Sequence, residues 1–212
     1  QKIAREYLLM ETPYRGLLLY HGLGSGKTCS SIAVAESLLS NLKIYVLLPA
    51  SLQANYRSEI RKCGDPIYAY EQHWEVRNVY EDRTEPHNLS ISDTFLDKYR
   101  KYYVTISGRS PNFSTLSKPD QDTIKKQLED IINQRFSFIN YNGISNEKLL
   151  RMACIRKKDG SGPFDNAVIV IDEVHNLIRM MQSTIEPYIR ASLEAQGIAK
   201  EKVDRSEEHT SE

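Results

Sequence analysis

LLLYHGLGSGKTCSS, residues Leu17 to Ser31, decides how the rest of the chain is read. Leu17, Leu18, Leu19 and Tyr20 form an apolar run short enough for a buried strand, and Gly22-Leu23-Gly24-Ser25-Gly26 is a glycine-rich turn. Lys27 and Thr28 then open a segment whose apolar positions, Ile32, Val34, Ala35, Leu38 and Leu39, suit a helix packed on a sheet. Strand, glycine loop, Lys-Thr and helix is the context that turns a phosphate-loop pattern into a site. A helix N-terminus offers unpaired N–H groups and partial positive charge to a phosphate. Glycines let the backbone wrap the phosphates with no Cβ in the way. On this reading Gly22, Leu23, Gly24, Ser25, Gly26, Lys27, Thr28 and Cys29 line an ATP site, with Lys27 on the β/γ-phosphates and the Thr28 hydroxyl on Mg²⁺. His21 stands where the usual pattern opens with glycine. Taken alone, the stretch is also compatible with a simple glycine-rich turn.

A second motif lies far downstream. Ala167 to Ile171 (AVIVI) is a continuous β-branched run, expected to be a central parallel strand buried on both faces. Asp172-Glu173-Val174-His175 follows at its carboxyl end, then a helix through Met181. Two carboxylates at the tip of a buried strand are costly unless a cation or a water-filled site meets them. Beside a phosphate loop that cation is Mg²⁺. Asp172 holds it through its water shell, Glu173 orients and deprotonates the attacking water, and His175 bridges to the part that senses nucleic acid. An acidic helix cap is the competing account of the same pair.

The bulk numbers narrow the field. A chain of 212 residues suits one domain carrying an insertion. With 28 basic and 28 acidic side chains, any polyanion site must be a local patch. Cys29, Cys63 and Cys154 are odd in number and lack metal-ligand spacing, so they are expected to be buried small hydrophobes in a reducing compartment. No run approaches the ~18 apolar residues of a membrane span, and no signal peptide is visible, which points to a soluble intracellular domain with no membrane partner. Both ends look cut. The chain starts at Gln1 inside an apparent helix, and RSEEHTSE (Arg205 to Glu212) resembles a translated sequencing adapter, an ordinary charged tail being the alternative.

The intervening chain supplies further elements. Gln1 to Met10 reads as a short helix, in which Gln1 is either an adenine contact or a solvated chain start. Lys43 to Leu48 (KIYVLL) is a second strand, after which Ser51 is expected to cap a helix to Lys62. Pro49, Ala50, Ser51 and Leu52 fall on the sheet edge where doubly wound folds bind ligands, and can hold a nucleic-acid phosphate; an ordinary strand-to-helix connection is the alternative. Residues 65–118 interleave Tyr68, Tyr70, Trp74, Tyr80, Tyr99, Tyr102 and Tyr103 with Arg77, Arg83, Lys98, Arg100 and Lys101. Such residues stack bases, but a local core for an inserted subdomain explains them more cheaply. Ser117 to Arg135 is a clear helix with Ile124, Leu128, Ile131 and Ile132 on one face. Phe136 to Tyr141 (FSFINY) alternates like a strand, and Ile144 to Lys158 reads as a helix.

HGLGSGKT, the LPAS segment and IDEVH together resemble motifs I, Ia and II of superfamily 2 helicases and translocases in the DExH form. TPYRGLLLYHGLGSGKTCSSIAVAE and VIVIDEVHNL are most similar to helicase-like ATPases of nucleocytoplasmic large DNA viruses, a group that includes relatives of the poxvirus early transcription factor and nucleoside triphosphatase. The resemblance covers Gln1 to about Met181, loosely over 65–135. It implies an α/β fold: a RecA-like P-loop NTPase domain over 1–204, a parallel sheet with helices on both faces, carrying an inserted α-rich segment at about 65–135. It also implies ATP, Mg²⁺, DNA or RNA, and a second RecA-like domain absent from this chain, in a protein of the virion or infected host cytoplasm. The expected activity is a nucleic-acid-dependent ATPase driving unwinding or translocation, the 212 residues alone turning over little ATP. A duplex translocase or transcription-factor ATPase without strand separation, and a binding module on a dead site, are the alternatives.

Overall fold

The structure is a computed structural model and describes residues 16–20, 26–38, 42–80, 83–145, 160–162, 164–185, 187 and 190–191. Helix α1 spans Lys27–Ser37, strand β1 Lys43–Leu48 and helix α2 Gln53–Cys63. Between α2 and the next core strand come β2 (Trp74–Asn78), the short helices α3 (Thr84–Asn88) and α4 (Asp93–Tyr99), β3 (Lys101–Thr105) and the long helix α5 (Lys118–Arg135). Then follow β4 (Phe136–Asn140), β5 (Ala167–Ile171) and α6 (Val174–Met180), which ends in a π-helical turn, Met181–Ile185. The expected helices at 1–10 and 144–158 and the tail 205–212 lie outside the described residues.

The main sheet is parallel, in the order β4-β1-β5, and is flanked by helices in the manner of an α/β RecA-like fold. Its register aligns Ile44 with Phe136 and Val168, and Val46 with Phe138 and Val170. That alternate set shares one face with Leu48 and packs against Ile32 and Ala35 of α1 and Tyr56 and Ile60 of α2. Parallel strands end at the same edge, so Pro49, Tyr141 and Asp172 are brought side by side.

Two strand expectations are corrected. Among the described residues β5 is an edge strand rather than a central one: β1 is its partner there, and Ile169 and Ile171 are 45% and 39% exposed. Its β-branched run reflects strand propensity, with burial on one face. Leu17 to Tyr20 form no strand. With no partner on either free edge of the sheet among the described residues, their backbone has no ladder to join, and Leu18 and Tyr20 are exposed. β1 takes the central place among the described strands. Ser51 is also not the cap of α2, because it sits inside a 3-10 turn, Ala50–Leu52, closed by Leu52 N–H donating to Pro49 O at 3.0 Å.

Residues 65–135 contain an antiparallel pair, β2 with β3, backed by α4 and α5. Tyr68, Trp74, Tyr102 and Tyr103 are buried there, so the aromatics form a local core. Their cationic neighbours are largely paired: Arg77 with Glu85, Arg83 with Asp93 and Asp97, Lys101 with Asp120. Gln127, buried on α5, closes the edge of β3 by accepting from Tyr103 N–H at 2.8 Å and donating to Tyr103 O at 2.7 Å. Ser117 caps α5 by accepting from Asp120 N–H, with Pro119 in the first turn, as the sequence predicts.

The cysteine expectation is overturned for two of the three. Cys29 of α1 and Cys63 of α2 are partly buried and form a disulfide, with Cα atoms 5.6 Å apart. Packing α1 beside α2 on one sheet face brings together residues 34 apart in sequence, which spacing could not show. Cys154 lies outside the described residues.

Candidate nucleotide site

At the carboxyl edge of the sheet, α1 presents its N-terminus. Gly26 adopts the left-handed conformation (φ 77°) and offers no side chain to cap the helix, so the first turn of α1 begins without an N-cap side chain, as an anion-accepting helix start does. Ser31 Oγ donates to Thr28 O at 2.8 Å and lies 3.1 Å from Tyr56 Oη, tying the helix start to α2. The remaining phosphate-loop residues, Gly22, Leu23, Gly24 and Ser25, and the candidate adenine contact Gln1, lie outside the described residues.

The acidic pair is fixed from two sides. Asp172 N–H donates to Leu47 O at 2.9 Å, which continues the β5 ladder by one residue. The hydroxyl of Tyr141, a fully buried residue just past β4, donates to the backbone carbonyls of Asp172 and Glu173 at 3.0 and 3.1 Å. Glu173 itself has φ 53°, a left-handed conformation that non-glycine residues seldom adopt. Such geometry persists where the surroundings over-determine it, and the Tyr141 clamp does so here.

Burial raises the Asp172 carboxyl above its usual range, and the charge of Glu173 adds to this; the Glu173 N–H, which donates to Asp172 Oδ1 at 3.2 Å, and the charge of Lys27 pull the other way. Lys27 and Asp172 therefore feel each other across the site. Burial also raises the Tyr141 hydroxyl, followed by the two neighbouring carboxylates. Partly buried Thr28 and Asp172 offer a hydroxyl and a carboxylate, hard oxygen donors of the kind Mg²⁺ takes, and the desolvated Asp172 carboxylate beside Glu173 suits a cation. The residues present fit that ion.

His175 is exposed, two residues past Glu173. Its Nδ1 lies 3.3 Å from Glu173 Oε2, one helical step from the acidic tip. Ala50 and Ser51 are exposed at the same sheet edge, while Pro49 is buried. Gln53 Oε1, at the start of α2, accepts from Asn140 Nδ2 at 2.9 Å and so links that segment to the end of β4. The sequence reading missed Tyr141. It was visible as the last residue of the FSFINY strand, with no sign of a tie to the acidic pair, because its partners lie more than thirty residues away.

The fold and this edge define a parallel α/β domain of RecA-like type with an acidic pair at the end of β5 and a glycine-started helix at Lys27. Comparison with known proteins is consistent with that class. Over 106 residues, 49% of the chain, it is 37% identical to a protein of Acanthamoeba polyphaga mimivirus provisionally named an ATP-dependent RNA helicase, of which the match covers 18%. A second mimivirus protein with the same provisional name is 27% identical over 84% of the chain and 15% of its own length. A provisionally named helicase of Frog virus 3 is 25% identical over 88% of the chain and 20% of its own length. The chain thus spans a fifth or less of these relatives. No protein-family profile and no solved structure matches it. The chain is similar to helicase-like proteins of nucleocytoplasmic large DNA viruses.

Proposed function

We propose that the chain forms the ATP-binding domain of a nucleic-acid-dependent motor of the DExH type, within superfamily 2. The arrangement that supports this reading is the Lys27–Thr28 start of α1 and the Asp172–Glu173 tip of β5 in one domain, with the charge of Lys27 acting on the Asp172 carboxyl. The uncapped first turn of α1 receives the phosphates, and Lys27 adds a point charge to the β/γ-phosphates. Thr28 and Asp172 would hold Mg²⁺, which would supply charge neutralisation at the phosphates. Glu173 accepts a proton from the attacking water, and His175 at 3.3 Å holds that carboxylate in orientation. Tyr141 is a positioning residue that keeps both carboxylates at the tip.

The domain is taken as 1–204 with its insertion at 65–135. The exposed Ala50–Ser51 turn is the nucleic-acid contact on this edge, and Gln53 transmits its position to β4. Groups beyond these residues complete catalysis, an arginine finger alone supplying on the order of 10³–10⁵ in rate. The test is ATP turnover by the complete protein containing these residues, without nucleic acid, with single strands and with duplex, beside Lys27→Ala. Turnover raised by DNA or RNA and lost in the variant supports the motor, and the preferred strand type separates unwinding from duplex translocation. Turnover indifferent to nucleic acid counts against it.

A further inference from the structure

The Cys29–Cys63 bond sits where the proposed nucleotide site is weakest. Cys29 directly follows Thr28 in the first turn of α1, which begins without an N-cap side chain. Gly26 supplies no side chain to hold that turn, and the covalent bond to α2 joins the Ser31–Tyr56 contact in anchoring it. Cys63 is the last residue of α2, the helix that begins just past the exposed Ala50–Ser51 turn. The bond therefore joins the helix that receives phosphate to the helix that carries the candidate nucleic-acid contact. Neither Cys29 nor Cys63 is fully buried.

We propose that Cys29 and Cys63 are a thiol–disulfide couple that controls the nucleotide site, the oxidised form holding the α1 turn ready for phosphate and the reduced form releasing it. This rests on the nucleotide-site reading above. In the reductive direction a thiolate of a small thiol attacks Cys63 Sγ and breaks the S–S bond. Cys29 leaves as thiolate, the better leaving group because it lies in the first turn of a helix whereas Cys63 lies in the last. Glu59 Oε2, 3.5 Å from Cys29 Sγ, opposes part of that stabilisation. A second small thiol then attacks the mixed disulfide and frees Cys63. Two small thiols are oxidised to one small disulfide and the protein gains two thiols; the reverse exchange, with a small disulfide as oxidant, restores the bond.

A donor cradle that is held in place binds its ligand without first being ordered, so the oxidised form should bind nucleotide more tightly. The full chain is equilibrated in glutathione buffers of graded poise, thiols are counted by maleimide labelling and mass, and the affinity of a fluorescent ATP analogue with Mg²⁺ is measured in parallel. The expected result is a reversible gain of two reactive thiols at Cys29 and Cys63, with binding at least about fivefold tighter in the oxidised form. Cys63→Ser should bind like the reduced protein in every buffer. Equal affinity in both forms, a redox response retained by Cys63→Ser, or both thiols free throughout the poise range each overturns the couple. The wild-type comparison decides the matter even if the variant folds poorly. Loss of analogue binding in both forms also removes the nucleotide-site reading, whereas equal, measurable binding removes only the redox control.

Discussion

Tyr141 shows how much one hydroxyl can carry. It is buried and donates to two successive carbonyls, one on each residue of the acidic pair. Tyr141→Phe keeps the ring and strands those carbonyls, at a cost of about 1–3 kcal/mol. In the complete protein the expected result is a fall in kcat with KM for ATP little changed, because the variant leaves the α1 cradle intact and displaces Glu173. Asp172 is the opposite case, since its main cause of perturbation is burial. A raised folded pKa means that ionisation opposes folding, so stability rises as pH falls through that pKa. Asp172→Asn is therefore expected to raise Tm at neutral pH in the nucleotide-free protein and to abolish ATP turnover, a trade typical of sites that hold strained or desolvated groups for function. A thermal melt and an ATPase assay on the same preparation check both halves.

Among the elements, α5 organises the segment between α2 and β4. Its apolar face packs into the core, Gln127 completes β3, Asp130 accepts from Ser92 N–H and Oγ–H at 2.7 Å each, and Glu129 pairs with Arg57 and Arg61 of α2. At its N-terminus, hydrogen bonds from Lys101, then Tyr103 and Ser117, hold the Asp120 carboxyl well below the usual range. A depressed folded pKa contributes stability that is present above the unfolded value and lost as pH falls below it. Tm should therefore drop on acidification below the ordinary carboxylate range, and Asp120→Asn should lower the neutral-pH Tm while flattening that drop; melts across pH 6 to pH 3, on the order of the carboxylate titration range, measure it. This helix was legible in the sequence because its Ser start, early Pro and apolar spacing all agree. The Leu17–Tyr20 run and the burial of β5 were not, since apolar residue type says nothing of which neighbours arrive. Gln127 was equally opaque: an amide on a core face gains meaning only opposite the edge of β3.

For the whole molecule, the disulfide closes a loop of 34 residues between two helices that share a sheet face. A loop of that length is worth about 3–4 kcal/mol through the unfolded state. Reduction should therefore lower the chemical-denaturation midpoint by a corresponding amount with little change in native circular dichroism. No helix among the described residues is long and apolar enough to cross a membrane. By itself the sequence determined the α/β class, the long helix α5, the placing of Lys27 and Thr28 at a helix start, and the placing of Asp172 and Glu173 at a strand end. Those follow from local periodicity, capping and propensity, which act within a few residues. Tertiary structure alone decided that β1 rather than β5 is central among the described strands, that Tyr141 clamps the acidic tip, and that Cys29 meets Cys63. Each depends on strand order and helix packing, which join residues that no local pattern connects.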